Sequence, residues 1–593
     1  AFDKRNGREL FYRNNVIKPQ LVGLTGAWVS GGVEFNFPTG HRPSTMEEID
    51  ASVRGNPDGS ASVFIGETDK MSGVRFSVEL RLEPGKAYIE QISRIYNPTS
   101  VPQRFFFWNT ASYPDTDTLV CRYPARWIID EHQRVRKPWP YDGHVDVREA
   151  RNIEKFSSVF AALNEEDFFG LYDTNTRAGN VHVGDHREMP GSKFWSWGKY
   201  EHGKMWNLSL TDDDGPYMEQ QAGNTETQYL YHYLQPYQKH EWTEYWYQAI
   251  DTGPFTFANK HVALATSFSP AEAGKLRFRL ALQANEKLSG ATVTLLHQDK
   301  AVYSETGEWT PERTEKREAQ LDAVCLAEGK LRLEIRDAGG TLLADHLVKN
   351  SADALAQDEE DIDVPERDDL TTRLVRIYRA EERHLHAETL RLLDELLDTH
   401  PDYMEAHIRK AVVLIKMLDY AAAETTIERA ALLTPFSDEL HYYTGLVRFL
   451  IGKPKKAKSA LLYVNDISAF APAANVLLGR IALKDGEWSR AERYFAKAER
   501  ASGTDAADVL RAYALRKRGE AVPAERLLQD ILARDPLNAF AAAEYDRLAG
   551  TAKFRTLART DAFHALDLLQ HYADIGDEED ERFALNEWAD EGN

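Results

Sequence analysis

ALLTPFSDELHYYTGLVRFLIGKPKKAKSALL, from Ala431 to Leu462, decides how the back half of this chain is built. The periodicity there is helical, and its landmarks recur at a fixed distance along the chain. Ala457-Lys458 is preceded by Ala423-Glu424 and followed by Ala491-Glu492 and Ala524-Glu525, at separations of 34, 34 and 33 residues. Gly452 returns as Gly486 and Gly519, and Gly445 returns as Gly479. Pro435 repeats Pro401, which follows the similar helix end LLDTHP. A period in this range marks stacked supersecondary units, none of which buries its apolar face alone.

These features resemble the tetratricopeptide repeat, in which a small residue lets two antiparallel helices approach and a proline ends the second. A helical array is therefore expected over residues 370–593, with ALDLLQHYADIGDEEDERFAL (Ala565–Leu585) as a further helix pair. Such arrays form a superhelix whose concave face holds a peptide or protein, or packs on the chain's own domains. Residue types suited to an active site are not apparent in this half.

Upstream the pattern changes. Nine of the twelve tryptophans precede residue 250, among short alternating runs such as 74–82 and 87–93 that are broken by Pro-Gly or Asn-Pro turns. This predicts an antiparallel β domain over residues 1–258. Over 259–350 the aromatics thin out. Strands at 275–282, 291–296 and 330–335 are spaced by turn signals at Glu286-Lys287, Thr306-Gly307 and Gly339-Gly340, predicting a small immunoglobulin-like β-sandwich. Residues 351–369 carry Asp358, Glu359, Glu360, Asp361 and Asp363, an acidic linker. The expected class is thus multidomain β plus α.

A formal net charge of −22 argues against nucleic-acid and anionic-membrane partners, whose phosphates demand a dense positive field. Cys121 and Cys325 fall in different expected domains, so neither a disulfide framework nor a cysteine metal site is called for, and a reducing cytoplasm fits. Neither a membrane-length apolar run nor a signal-peptide pattern is present. No metal ligand set or phosphate loop has the required spacing, and no cofactor is expected.

Chemistry concentrates in GGVEFNFPTGHRPST (Gly31–Thr45) and FWSWGKYEHGKMWNLSLTDDDGPYMEQQAG (Phe194–Gly223). Both mix aromatics, carboxylates, glycine and histidine. Sugars require that mixture, since their C–H faces pack on rings while their hydroxyls take hydrogen bonds from polar side chains. Trp195 and Trp197 alternate on one strand face and point into one cavity. Glu34, Asp185 beside His186, and the triplet Asp212, Asp213, Asp214 are candidate carboxylates, the triplet also suiting a solvated turn before Gly215-Pro216.

DKRNGRELFYRNNV (Asp3–Val16), GGVEFN (Gly31–Asn36), YIEQISRIYNPTSVPQRFFFWNTAS (Tyr88–Ser112) and GPYMEQQAG (Gly215–Gly223) resemble the galactose-mutarotase, or aldose-epimerase, superfamily. The closer likeness is to a bacterial family that couples such a domain to tetratricopeptide repeats. The resemblance implies a β-supersandwich holding sugar on its concave face. It also implies that Glu219, in the pattern Gly215-x-x-x-Glu219-x-Gln221, takes the anomeric proton. The family's acid histidine precedes a strand that matches Phe105–Asn109, where this chain has none, so His41, His144 or His186 must supply it if ring opening occurs. Because such domains begin with additional strands, an upstream segment is expected to have been lost or to pair from elsewhere in the assembly.

The leading expectation is a glycoside hydrolase with catalytic Glu219 and a second carboxylate from Glu34 or Asp213. Trp195, Trp197, His41, Arg42, Asn36, Asn109, His186, Tyr217 and Gln221 are the expected substrate contacts. A non-catalytic carbohydrate-binding scaffold whose repeats recruit a protein is the second expectation, and an aldose epimerase of a modified sugar the third. A homodimer is compatible with both halves.

Overall fold

A computed structural model describes residues 1–21, 27–41, 43–130, 136–142, 145–272, 274–327, 331–348, 369–502 and 505–589. The front of the chain is a sandwich of two large antiparallel sheets. One has seven strands, ordered Arg136–Pro138, Trp127–Asp130, Ser157–Ala162, Gly191–Ser196, Tyr217–Gly223, Trp108–Pro114 and Val33–Asn36. The other has eight, ordered Leu119–Arg122, Phe168–Asp173, Ala178–Gly184, Lys239–Ile250, Ile89–Tyr96, Arg75–Leu82, Ala61–Thr68 and Asp50–Gly55.

Alternation along each strand sends one set of side chains between the sheets. Met218, Ala222, Phe194 and Phe107 meet Phe76, Val78, Ile95 and Phe169 there in one buried apolar cluster. A polar hub sits inside the same sandwich. Fully buried Glu244 accepts from Asn109 Nδ2 at 2.7 Å, Gln91 Nε2 at 2.9 Å and Trp242 Nε1 at 2.8 Å, and lies 2.7 Å from His182 Nε2. A buried carboxylate persists only when its lone pairs are engaged in this way.

Next come two four-stranded sheets, Phe257–Ala258, Val262–Pro270, Lys275–Ala284 and Glu315–Asp322 facing Lys300–Trp309, Leu288–His297, Leu331–Arg336 and Leu342–Val348. This small sandwich begins at Phe257, two residues before the expected boundary, because Phe257 pairs with Leu264. The turn expected at Thr306-Gly307 is instead strand, Gly307 pairing with Ala291 beside a bulge between Ser289 and Ala291. Cys121 and Cys325 are both free and buried in separate domains. Of the expected acidic linker, all but Asp369 lies outside the described residues. Asp369 caps the first helix of the array, accepting from Thr372 N at 2.9 Å.

Fourteen helices follow among the described residues, in seven pairs. The first helices of successive pairs begin at Leu370, Met404, Asp438, Ala471, Asp505 and Ala539, and the last pair is Phe563–Ile575 and Glu578–Ala589. The glycines explain the spacing. A Cβ on Gly445 would stand 2.4 Å from Leu461 Cγ, and one on Gly479 would stand 2.4 Å from Phe495 Cε1, so the paired helices touch only because these positions are bare. Gly452, Gly486 and Gly519 turn between the helices of a pair with φ of +73°, +70° and +80°.

The array packs on the chain's own sandwich. Phe64, Val101 and Tyr237 join its apolar core, Tyr442 Oη donates to Ser100 O at 2.7 Å, and Arg480 lies over the Tyr237 ring at 5.7 Å. Arg75 pairs with Asp535 at 3.3 Å and buried His564 Nε2 lies 2.6 Å from Asp50 Oδ2. Tyr442, Arg480 and His564 all belong to first helices of their pairs, so the surface those helices would offer to a peptide is at least partly covered by the β domain.

Candidate active site

Register on the seven-stranded sheet builds the site. Glu34 stands opposite Thr110, Thr110 opposite Gln221, and Gln221 opposite Lys193, a row crossing four strands. One step along, Ser112, Glu219 and Trp195 form a second row on the same face. That face points away from the buried cluster, since Met218, Ala222 and Phe194 take the alternate positions. Asn36 belongs to the face too and donates to Thr110 Oγ1 at 3.2 Å.

Glycine supplies the floor. The Trp108 ring covers Gly191 and Gly223, where a Cβ would come within 2.6 Å and 2.1 Å of ring atoms. The final glycine of GPYMEQQAG is therefore required by packing. Trp108 Nε1 donates to Thr225 Oγ1 at 3.1 Å and so holds the indole in place.

Aromatic rings form a wall. Trp28 stacks on Trp197 at 5.9 Å, Trp197 meets Trp195 edge-on at 5.4 Å, Phe156 lies 5.9 Å from Trp195, and Tyr12 stacks on Tyr217 at 5.3 Å. The loop after the edge strand brings His41 beside Trp28, with 5.7 Å between ring centroids. His41 Nδ1 is 3.0 Å from Glu34 Oε1. Burial works to lower the imidazole, but the hydrogen bond and charge of Glu34, helped by Glu219, outweigh it and raise His41 above its ordinary value.

Glu219 has the most altered environment of the group. Burial pushes its carboxyl up to about 7 against the opposing pull of Lys193 and His41, and the charge of Glu34 adds to the rise. It nevertheless keeps a partial opening to solvent. Gln221 Nε2 donates to Glu219 Oε2 at 2.7 Å. Lys193, only 4% exposed, lies over Phe160 and Trp195 at 4.9 Å and 5.3 Å. The face thus joins a carboxyl that exchanges protons near neutrality, a second carboxyl, an imidazole and a buried ammonium beside flat apolar rings.

Of the residues expected from sequence, Glu219, Glu34, His41, Gln221, Tyr217, Trp195, Trp197 and Asn36 come together here. Asn109 does not, because its strand position turns it inward to Glu244. His186 lies on the loop after Ala178–Gly184 of the other sheet, 2.7 Å from Asp167. Asp213 is exposed in the turn after helix Glu201–Thr211, where Asp212 pairs with Lys18 and Asp214 accepts from Asn15 at 2.6 Å, the solvated-turn arrangement. Arg42 and His144 lie outside the described residues. Lys193, Thr110, Trp28, Phe156 and Gln228 were not anticipated. The alternation linking Trp195 to Trp197 reaches Lys193 when continued two residues back, whereas Gln228, in a loop, carries no such signal.

Among the described residues, Asp167, Asp185 and His186 have ligand atoms within 4.8 Å of one another, a geometry open to a metal ion. The His186–Asp167 hydrogen bond also accounts for two of them as an ordinary polar pair.

Residues 1–249 match the family model described as a domain of unknown function, DUF5107, and residues 257–346 match the second domain of YphG-like proteins. Among solved structures, a TPR-domain containing protein from Parabacteroides distasonis is 17% identical with a TM-score of 0.38, over 98% of this chain and 83% of that one. The Slr1438 protein from Synechocystis is 9% identical with a TM-score of 0.30, over 38% of this chain and 80% of its own. PilF from Pseudomonas aeruginosa is 21% identical with a TM-score of 0.29, over 36% and 96%. Scores this low carry no functional weight. The family matches cover the two β domains.

Proposed function

We propose that the front sandwich is a mutarotase-like carbohydrate domain and that it cleaves glycosides. The observation that carries this reading is Glu219, a carboxyl lifted to about 7, sharing one aromatic-walled face with a second carboxyl, Glu34. Glycoside hydrolysis uses such a pair, one member donating a proton to the departing oxygen while the other supports the developing cation or the incoming nucleophile. Glu219 is the proton donor and Glu34 the partner carboxylate. Trp195, Trp28 and Phe156 receive the C–H face of a sugar ring.

His41 favours a second reading, interconversion of sugar anomers or epimers. In that reaction ionised Glu219 accepts the anomeric hydroxyl proton and the imidazolium of His41 donates to the ring oxygen, opening the ring. Its raised proton affinity and its place beside Glu34 support this role.

Proton NMR of a panel of α- and β-linked disaccharides and of free aldoses, with wild type and Glu219→Gln side by side, separates the two. Release of reducing sugar that disappears in the variant supports hydrolysis. Accelerated anomer exchange without cleavage supports the second reading. Binding shifts without turnover in either protein overturn both in favour of a non-catalytic carbohydrate-binding domain.

A further inference from the structure

Three hydrogen bonds run in series into Glu219. Lys193 Nζ donates to Gln228 Oε1 at 2.8 Å, Gln228 Nε2 donates to Gln221 Oε1 at 2.8 Å, and Gln221 Nε2 donates to Glu219 Oε2 at 2.7 Å. Carboxamides are ordinarily ambiguous in orientation, because oxygen and nitrogen are nearly the same size. Here chemistry removes the ambiguity. An ammonium has only hydrogens to offer, so Gln228 must turn its oxygen to Lys193 and its nitrogen to Gln221, and Gln221 must then turn its own nitrogen to Glu219. The polarity set at Lys193 is passed along two amides to the carboxyl.

We infer that Gln228 is a positioning residue that fixes, through Gln221, which oxygen of Glu219 accepts a hydrogen bond and which is left to carry the exchangeable proton. This rests on the reading of Glu219 as an acid–base group. Oε2 is committed as an acceptor, so the proton resides on Oε1. Among the described residues, the other charged or titratable groups that act on Glu219 are His41 and Glu34 from the edge strand and its loop, Lys193 from the neighbouring strand, and Tyr217 on its own strand. None of these fixes the orientation of Gln221 directly, so the loop residue Gln228 does so, without touching Glu219.

The test reads Glu219 itself. In the full chain, the infrared band of its protonated carboxyl is isolated by difference against Glu219→Gln and followed with pH. Gln228 lies half-buried in a loop, so Gln228→Glu is isosteric and tolerated. The new carboxylate accepts from both Lys193 and Gln221, which turns the oxygen of Gln221 toward Glu219 and requires Glu219 to be protonated to donate. The expected rise in proton affinity of Glu219 is about tenfold, falling to less than about twofold when Gln221→Met cuts the series. Equal rises in both backgrounds, the mark of a through-space charge, overturn the inference, as does no rise in either. No sugar is needed for this readout. A chain that turns over no carbohydrate yet shows the background-dependent rise keeps the relay and loses the functional reading. A chain that cleaves glycosides yet shows equal rises loses the relay alone.

Discussion

Glu34 and His41 meet at 3.0 Å, Oε1 to Nδ1, at the open edge of the seven-stranded sheet. The pair forms because a short loop returns the chain from the edge strand Val33–Asn36 to its own face. It places an imidazole of raised proton affinity next to Glu219, a carboxyl whose ionisation is opposed by burial. The first prediction concerns that pair. Replacing Glu34 by Gln removes the charge that outweighs burial at His41, so the imidazole is expected to titrate lower than in wild type. Because the folded value of His41 is raised, the pair stabilises the fold below about pH 6.5 and loses that contribution as pH rises through the folded value. Histidine NMR titration of wild type and Glu34→Gln checks the direction, and an unchanged midpoint would show that Glu34 does not hold the proton.

Glu219 carries the opposite kind of cost. Its folded value near 7 exceeds the ordinary 4.5, so folding favours the neutral carboxyl and ionisation destabilises the native state. Stability is expected to fall as pH rises from 4.5 through 7 and to level off above. Glu219→Gln removes that loss and is expected to be more stable than wild type by about 2 kcal/mol at pH 8, a figure reduced for the opening to solvent, with the advantage fading near pH 4. Urea unfolding followed by tryptophan emission, with nine of the twelve tryptophans before residue 250, reads the relevant domain. On the proposed function the same substitution is expected to abolish proton transfer, so activity and stability should move in opposite directions.

Gly479 and Gly486 are both glycines of one repeat, yet they answer to different physics. A Cβ at Gly479 strikes the Phe495 ring at 2.4 Å, whereas at Gly486 nothing lies within 4 Å and only the φ of +70° is at stake. Gly479→Ala is expected to cost about 1–3 kcal/mol by overpacking, and Gly486→Ala about 1–2 kcal/mol through its left-handed backbone. Phe495→Leu should restore part of the loss in the first variant and none in the second. Helical circular dichroism on melting, with both double mutants, checks this. Equal rescue would mean that the Phe495 contact does not set the helix spacing.

The 34-residue landmarks were legible because the demands behind them are local. A bare position at two of the helix crossings is written as Gly445 and Gly479, and the left-handed turn between paired helices as Gly452 and Gly486, although His384 and Leu418 make the same turn at φ of +53° and +63° in the first two pairs. The split between a β-rich front and a helical back was legible for the same reason, as a change of period. The site was legible where residues adjacent in sequence share a face, as Glu219 and Gln221 do. It failed where only register decides. Asn109 sits one residue from Thr110, and that single step sends it inward to Glu244 and not to the site. Gln228 reaches Lys193 from a loop with no periodicity to read. The small sandwich shows the same limit, since Gly307 resembles a turn but lies in a strand beside a bulge.

Asp50 and His564 are 514 residues apart in sequence and 2.6 Å apart in space, buried between the eight-stranded sheet and the last helix pair. Removing one partner of a buried polar pair strands the other, which costs more than the pair contributes. Asp50→Ala is accordingly expected to weaken the docking of the array by about 2–3 kcal/mol, and the double variant with His564→Leu, which leaves no polar group unpaired, by less. The loss should be confined to the interface. Hydrogen exchange is expected to rise in Asp50–Gly55 and Phe563–Ile575 together, while Tyr217–Gly223, on the other sheet, keeps its protection. Faster exchange across all three segments would show that the array supports the sandwich as a whole. Faster exchange limited to the two facing segments means that the last helix pair can lift from the sheet without unfolding it.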